Sequence, residues 1–268
     1  AFNGVCGNLG VSLAAGISAA LATWLGWRAA FLAPAALCVA TGFVYLWLTP
    51  DDRHHVSTRQ SKPAVPLTPK LAVLLFGLFL VIAISAGLVF NVLTIALPKI
   101  VDEGVSASVP LVLIGSIATA VLVCGALAQL TVGRLVERVP PHVIFAAVTA
   151  LGFAGNLWAT YASGLSLMIA LAIAVAAIYG QVTVNDIILA RYTADAWRGR
   201  VYAVRYFTLF VSAGAAIAMI SLLHNSGGFG LVLGVNSIIA LAMFLATLAL
   251  VSLIVSIEAR NTATQPAE

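Results

Sequence analysis

Eight apolar runs of about twenty residues each follow one another along this chain, separated mostly by a few polar residues. They run Val5–Leu25, Ala29–Leu48, Leu71–Leu97, Pro110–Val132, Val143–Ala162, Leu167–Leu189, Tyr202–Leu223 and Phe229–Ile257. A run of that length, wound as a helix, crosses the roughly 30 Å hydrocarbon core of a bilayer. Inside lipid every backbone N–H and C=O must be satisfied within the protein, so the spanning element is a helix or a closed barrel. These runs are about twice as long as a barrel strand. The expected fold is all-α: a polytopic membrane helix bundle of about eight transmembrane helices.

Composition agrees. Hydrophobic residues make up 62% of the 268 residues and charged residues 8%, against about 25% charged in ordinary soluble domains. Mean hydropathy is +1.09. So few charges cannot clothe a water-facing surface, and the partner of this surface is the lipid bilayer. The net charge of +4 does not point to nucleic acid, because the basic residues sit in short loops rather than in a stripe interleaved with aromatics.

The first two runs are separated only by Gly26-Trp27-Arg28. Gly26 breaks the helix, while Trp24, Trp27 and Arg28 suit the headgroup zone. The longest polar stretch, 49–70, contains Pro50, Pro63, Pro66 and Pro69 and reads as a loop. It divides a two-helix part, 1–48, from a six-helix part, 71–257, with a tail at 258–268. The chain opens on Ala1, at the edge of a span and with no signal-peptide pattern. It reads as the larger, C-terminal part of a longer protein.

Sidedness follows from Lys and Arg. Arg53, Arg59, Lys62, Lys70, Arg134, Arg138, Arg191, Arg198, Arg200, Arg205 and Arg260 fall on one set of ends, and only Arg28 and Lys99 on the other. The rich side is expected to be cytoplasmic, with both termini and the 49–70 linker inside and the chain in the plasma (inner) membrane. Gly4, Gly7 and Gly10, with Ser12 and Gly16, mark a face on which helices can approach closely.

Cys6, Cys38 and Cys124 lie within apolar runs, without metal-ligand spacing, and read as buried free thiols. His54-His55 lacks further ligands to complete a metal site. No nucleophile elbow, zinc-protease helix or phosphate-cradling glycine loop is present. No enzyme activity and no cofactor are expected.

Three stretches resemble the major facilitator superfamily. Gly26-Trp27-Arg28-Ala29-Ala30-Phe31 looks like the Gly-Trp-Arg-x-x-Phe turn between that family's fifth and sixth helices. Residues 133–142, Gly-Arg-Leu-Val-Glu-Arg-Val-Pro-Pro-His, are similar to its cytoplasmic loop signature between helices eight and nine. Gly133, Leu135 and Arg138 match, Glu137 replaces Asp, and Pro140, Pro141 and His142 depart from the pattern. The long linker followed by six helices looks like the family's second bundle. The resemblance implies that this chain corresponds to helices five to twelve, with 1–48 as the last two helices of the N-terminal bundle. It also implies a secondary transporter that moves a small solute by alternating access, driven by a proton or ion gradient. The family's antiporters often carry a Gly-Pro-rich fifth helix; the first run has the glycines but no proline after them. The alternative is a non-transporting membrane sensor or scaffold that reuses the fold.

Ionisable residues within the bilayer are costly and tend to serve function. Asp186, late in the sixth run, is the clearest case, as a structural ion pair or as a gate. Tyr179, Thr183 and Asp186 share one helical face, as do Gly87, Asn91, Thr94 and Pro98 on the third run. In the family the equivalent helices line the central cavity. Asn91, Thr94, Tyr179 and Thr183 are therefore either a substrate path or interhelical hydrogen bonds. Asn156 and Thr160 read as packing. The loop 190–205, with Arg191, Arg198, Arg200 and Arg205, sets topology or holds anionic headgroups. The family's loop motif locks neighbouring helices, which implies a charge cluster of Arg134, Glu137, Arg138 and Asp186. In that cluster Asp186 pairs with Arg134 or Arg138, and Glu137 lies near the start of the first run.

Overall fold

The structure, a computed structural model, describes residues 2–49, 68–104 and 110–263. Most of the expected linker and part of the tail lie outside them, as do Arg53, His54, His55, Arg59 and Lys62 and the side chains of Gly4 and Arg260. Among the described residues there are seven helical runs and no strand. They are α1 (Phe2–Leu25), α2 (Ala29–Leu48), α3 (Pro69–Gly104), α4 (Leu111–Leu135), α5 (Pro141–Tyr161), α6 (Gly164–Tyr192) and α7 (Asp195–Ala263).

The run α7 accounts for the two last expected spans. Its 69 residues would stretch about 100 Å if straight. It is broken at Gly227 and Gly228, and Gly228 has φ +67, a backbone region that side chains with a β-carbon avoid. The chain reverses there: Arg205 before the break and Glu258 after it both reach the end of α6, at Asp186 and Arg191 respectively. Two arms therefore cross the bundle, making eight crossings in seven runs. Gly26, at φ +86, separates α1 from α2 in the same way.

Two boundaries depart from expectation for one reason: helices continue past the bilayer when polar side chains can support them. At its end α3 carries Lys99, which pairs with Asp102 at 3.0 Å and Glu103 at 3.6 Å, one turn ahead. The expected loop 190–205 shrinks to the turn between Tyr192 and Asp195, because α7 begins seven residues before Tyr202. Arg198, Arg200 and Arg205 thus stand on a helix, and Arg198 Nη2 donates to the Ala190 carbonyl at the end of α6.

The most enclosed helix is α6, whose Leu171, Ala174, Val175 and Ile178 are fully covered. Around it α3 packs on α7, α5 on both α6 and α7, and α4 on α6. At the flank α1 lies antiparallel on α4: Asn8 meets Gln129, Gly16 meets Thr119 and Ala19 meets Gly115. In lipid no hydrophobic force draws helices together, so close packing and hydrogen bonds must do it. A β-carbon on Gly115 would sit 2.5 Å from Ala19 Cβ, so this contact requires glycine. Of the small residues expected to serve α1, Gly16 does so, whereas Gly7 and Gly10 have nothing within 4 Å. The outermost helix, α2, contains no buried residue and packs on α1. The three cysteines are exposed, not buried as expected. An apolar run in a membrane protein has lipid as well as a core to face.

Candidate functional site

A cavity of about 140 Å³, walled mostly by apolar surface with a few polar side chains, opens where α1, α3, α6 and α7 converge. Asn8 comes from α1, Gly87 and Phe90 from α3, Gln181, Asn185 and Asp186 from α6, and Arg205 and Tyr206 from α7. Arg205 Nη1 donates to Asp186 Oδ1, joining α7 to α6. The Arg205 side chain is only 17% exposed and that of Asp186 41%. The Tyr202 hydroxyl also donates to the Asp186 carbonyl at 3.3 Å. A buried guanidinium requires an anionic partner, and this carboxylate supplies it.

The expected cluster is corrected here. Arg134, in the last turn of α4, and Glu137 and Arg138, on the short α4–α5 connection, are exposed, and the partner of Asp186 is Arg205. The side chains of Asp186 and Arg205 meet across the cavity wall, whereas the α4–α5 loop turns its charges outward. No interloop lock forms.

The residues expected to line a solute path are placed differently. Asn91 is buried and donates from Nδ2 to the Gly87 carbonyl at 2.7 Å. Thr94 donates to the Phe90 carbonyl at 2.8 Å. Tyr179 is fully buried and stacks on Phe90, with ring centroids 5.6 Å apart. Its hydroxyl lies toward Ser12 without closing a hydrogen bond. Thr183 Oγ1 accepts from Gln129 Nε2 at 3.2 Å, and Gln129 Oε1 accepts from Asn8 Nδ2 at 2.7 Å. That chain ties α1, α4 and α6 together. None of the four lines this cavity or the one beside it. Asn156 and Thr160 do serve packing: Asn236 Nδ2 donates to Asn156 Oδ1 at 2.7 Å, and Thr160 donates to the Asn156 carbonyl.

Sequence reasoning missed Asn8, Gln129, Gln181 and Asn185. A signal was present for two of them: Gln181 and Asn185 stand four apart on α6 and so share a face. Arg205 lies within the expected seventh run, and its side chain turns inward to Asp186.

Beside that cavity lies a partly open apolar groove of about 480 Å³ between α3 and the first arm of α7, with α6 at its base. Phe76, Phe79 and Leu80 line one wall, Leu189 the floor, and Trp197 and Val204 the other wall. Arg200 lies over the Trp197 ring at 4.7 Å. Ala83, Asn185 and Arg205 line both spaces, so the two cavities abut. At the opposite end of the bundle, His224 Nε2 lies 3.1 Å from Glu103 Oε1, and the His224 ring packs at a tilt against Phe229. That contact ties α3 to the α7 turn.

Comparisons with known proteins agree with this architecture. The family model for the Major Facilitator Superfamily matches residues 1–113. A chloramphenicol resistance protein of Streptomyces lividans is 28% identical over 238 residues, covering 84% of this chain. The chain spans 58% of the length of that relative. The family model, over the first 113 residues, and the relative make this chain similar to proteins of the major facilitator superfamily, and its all-helical bundle fits that likeness.

Proposed function

We propose that this chain takes part in moving a small solute across the membrane by alternating access. One observation carries the reading: the Asp186–Arg205 ion pair stands in the wall of a cavity shared by four helices of the bundle. Charged groups at such a place are costly to keep, and they mark solute or ion routes in membrane proteins. The resistance named in the relative supports movement of a small organic molecule. In this reading a solute or proton gradient supplies the energy, and two helix bundles rock about the site.

The same reading makes 1–48 the last two helices of one bundle and 71–257 the second, six-helix bundle. Residues 49–70 form a cytoplasmic linker, and both ends lie on the cytoplasmic side of the plasma membrane. The Lys and Arg bias supports that orientation.

The test is flux. The chain is reconstituted into vesicles carrying an imposed proton gradient, and radiolabelled chloramphenicol serves as the probe. Gradient-dependent movement, lost in Asp186→Asn, is the expected result. Partner binding without flux of this or any other probe would favour a sensor or scaffold.

A further inference from the structure

The arginine-rich end of the bundle carries one cation that its packing does not use. Arg191 pairs with Glu258 at 3.1 Å, Arg198 donates to the Ala190 carbonyl, and Arg205 is paired with Asp186. Among the described residues Arg200 meets no carboxylate; it is exposed and lies over the Trp197 ring at 4.7 Å. That stacked pair stands in the wall of the groove between α3 and the first arm of α7. The rest of the wall is almost wholly apolar, built from Val73, Phe76, Phe79 and Leu80 on α3, Leu189 on α6 and Val204 on α7. Val73, Leu80 and Val204 are exposed, so the groove is open sideways along apolar rims. Along α3 it runs from Val73 to Ala83, about 15 Å at 1.5 Å per residue. It begins just inside the apolar run that starts at Leu71, so it spans about half of the roughly 30 Å hydrocarbon core, the depth of one leaflet. Trp197 and Arg200 precede the apolar run that starts at Tyr202, which puts them at headgroup level, where both residue types are favoured.

We infer that the groove seats one acyl chain of an anionic phospholipid, whose phosphate is held by Arg200 beside Trp197. A single exposed guanidinium holds a free anion weakly. Burial of an acyl chain against α3, α6 and α7 adds the missing affinity, and the guanidinium then selects a headgroup of opposite charge. Arg205 borders the deep end of the groove but is already paired with Asp186, so the phosphate belongs at the other end, with Arg200. The lipid site does not depend on transport, and its occupancy can be measured with neither a gradient nor a solute.

The experiment is quenching of tryptophan fluorescence by brominated lipid. Trp24, Trp27, Trp47 and Trp158 are replaced by Phe, which leaves Trp197 as the reporter in the groove wall. The chain is reconstituted into phosphatidylcholine vesicles, and phosphatidylglycerol brominated near the headgroup end of its acyl chains is titrated in. Phosphatidylcholine brominated in the same place serves as the comparison. Half-quenching of Trp197 is expected at a mole fraction of phosphatidylglycerol about tenfold below that of phosphatidylcholine. A second variant keeps only Trp47, exposed at the same end of the bundle on α2; there the preference should stay below about threefold. Arg200→Gln should bring the preference at Trp197 below about threefold while quenching by phosphatidylcholine holds. Gly77 also lines the groove, and a β-carbon there meets nothing within 4 Å. Gly77→Phe should therefore fill the groove and remove the preference with Arg200 intact. No preference at Trp197, the same preference at Trp47, or a preference that survives either substitution overturns the inference. So does displacement of the brominated lipid by free glycerol phosphate, which would make this a site for a soluble anion. Should Gly77→Phe not fold, Arg200→Gln at its exposed position and the contrast between Trp197 and Trp47 decide the matter.

Discussion

Arg205 of α7 lines both cavities and donates to Asp186 of α6, standing with Ala83 and Asn185 where the two spaces abut. Its neighbours on α7, Arg198 and Arg200, stand at the end of the bundle: one bonds the end of α6 and the other covers Trp197. The two spaces thus meet at a charged boundary.

Breaking that boundary from one side should cost more than removing it whole. Arg205→Gln leaves a carboxylate without its partner, and Asp186→Asn leaves a largely buried guanidinium uncompensated. Because the Asp186 side chain is 41% exposed, solvent softens the loss, and we expect each single change to cost about 1–3 kcal/mol. The double variant should lose less than the sum of the two. Thermal unfolding in detergent, run as a double-mutant cycle, checks this; strict additivity would show that the two side chains do not act together.

The α1–α4 contact depends on the absence of a side chain. Gly115→Val should destabilise the chain by about 1–3 kcal/mol through overpacking against Ala19. Gly10→Ala is the control. A β-carbon there meets nothing within 4 Å, and alanine favours the helix by up to about 1 kcal/mol. Equal losses at the two positions would refute the close approach of α1 to α4.

The Asn156–Asn236 bond joins α5 to the second arm of α7. Replacing both by leucine in a mutant cycle should reveal a coupling of about 0.6 kcal/mol, and at most about 1.7, as for other hydrogen bonds between membrane helices. Flux of a transported probe should survive, because neither residue lines either cavity. Loss of flux at unchanged stability would give this pair a role beyond packing.

Sidedness can be read with cysteines. Cys6, Cys38 and Cys124 are exposed and can be replaced by alanine. A cysteine at position 103 or 224 should react with an impermeant maleimide added to intact cells, and one at 198 should not. The reverse pattern would invert the orientation proposed from the Lys and Arg bias.

The sequence by itself determined the number of crossings, where several helices begin and end, and which ends share a side. The second run coincides with α2 at both ends, Gly26 breaks the first hairpin, and the glycines after Ser226 break the last. These features are local. Length in apolar residues, a glycine where the backbone must turn, and charge in the connections are read residue by residue. The tertiary structure alone decided which polar side chains face one another. The helix α6 carries Tyr179, Gln181, Thr183, Asn185 and Asp186 within two turns, and its pattern does not say which of them meets a neighbour and which meets a cavity. Rotation of α6 against α3 and α4 placed Tyr179 on Phe90 and Thr183 on Gln129, and left Gln181 and Asn185 at the open space. Asp186 found Arg205 rather than Arg134 or Arg138, because the first arm of α7 packs where its arginine reaches the end of α6, while the charges of the α4–α5 region are exposed. A partner for a buried charge is chosen by the side chain that can reach it, and reach is a property of the packed bundle.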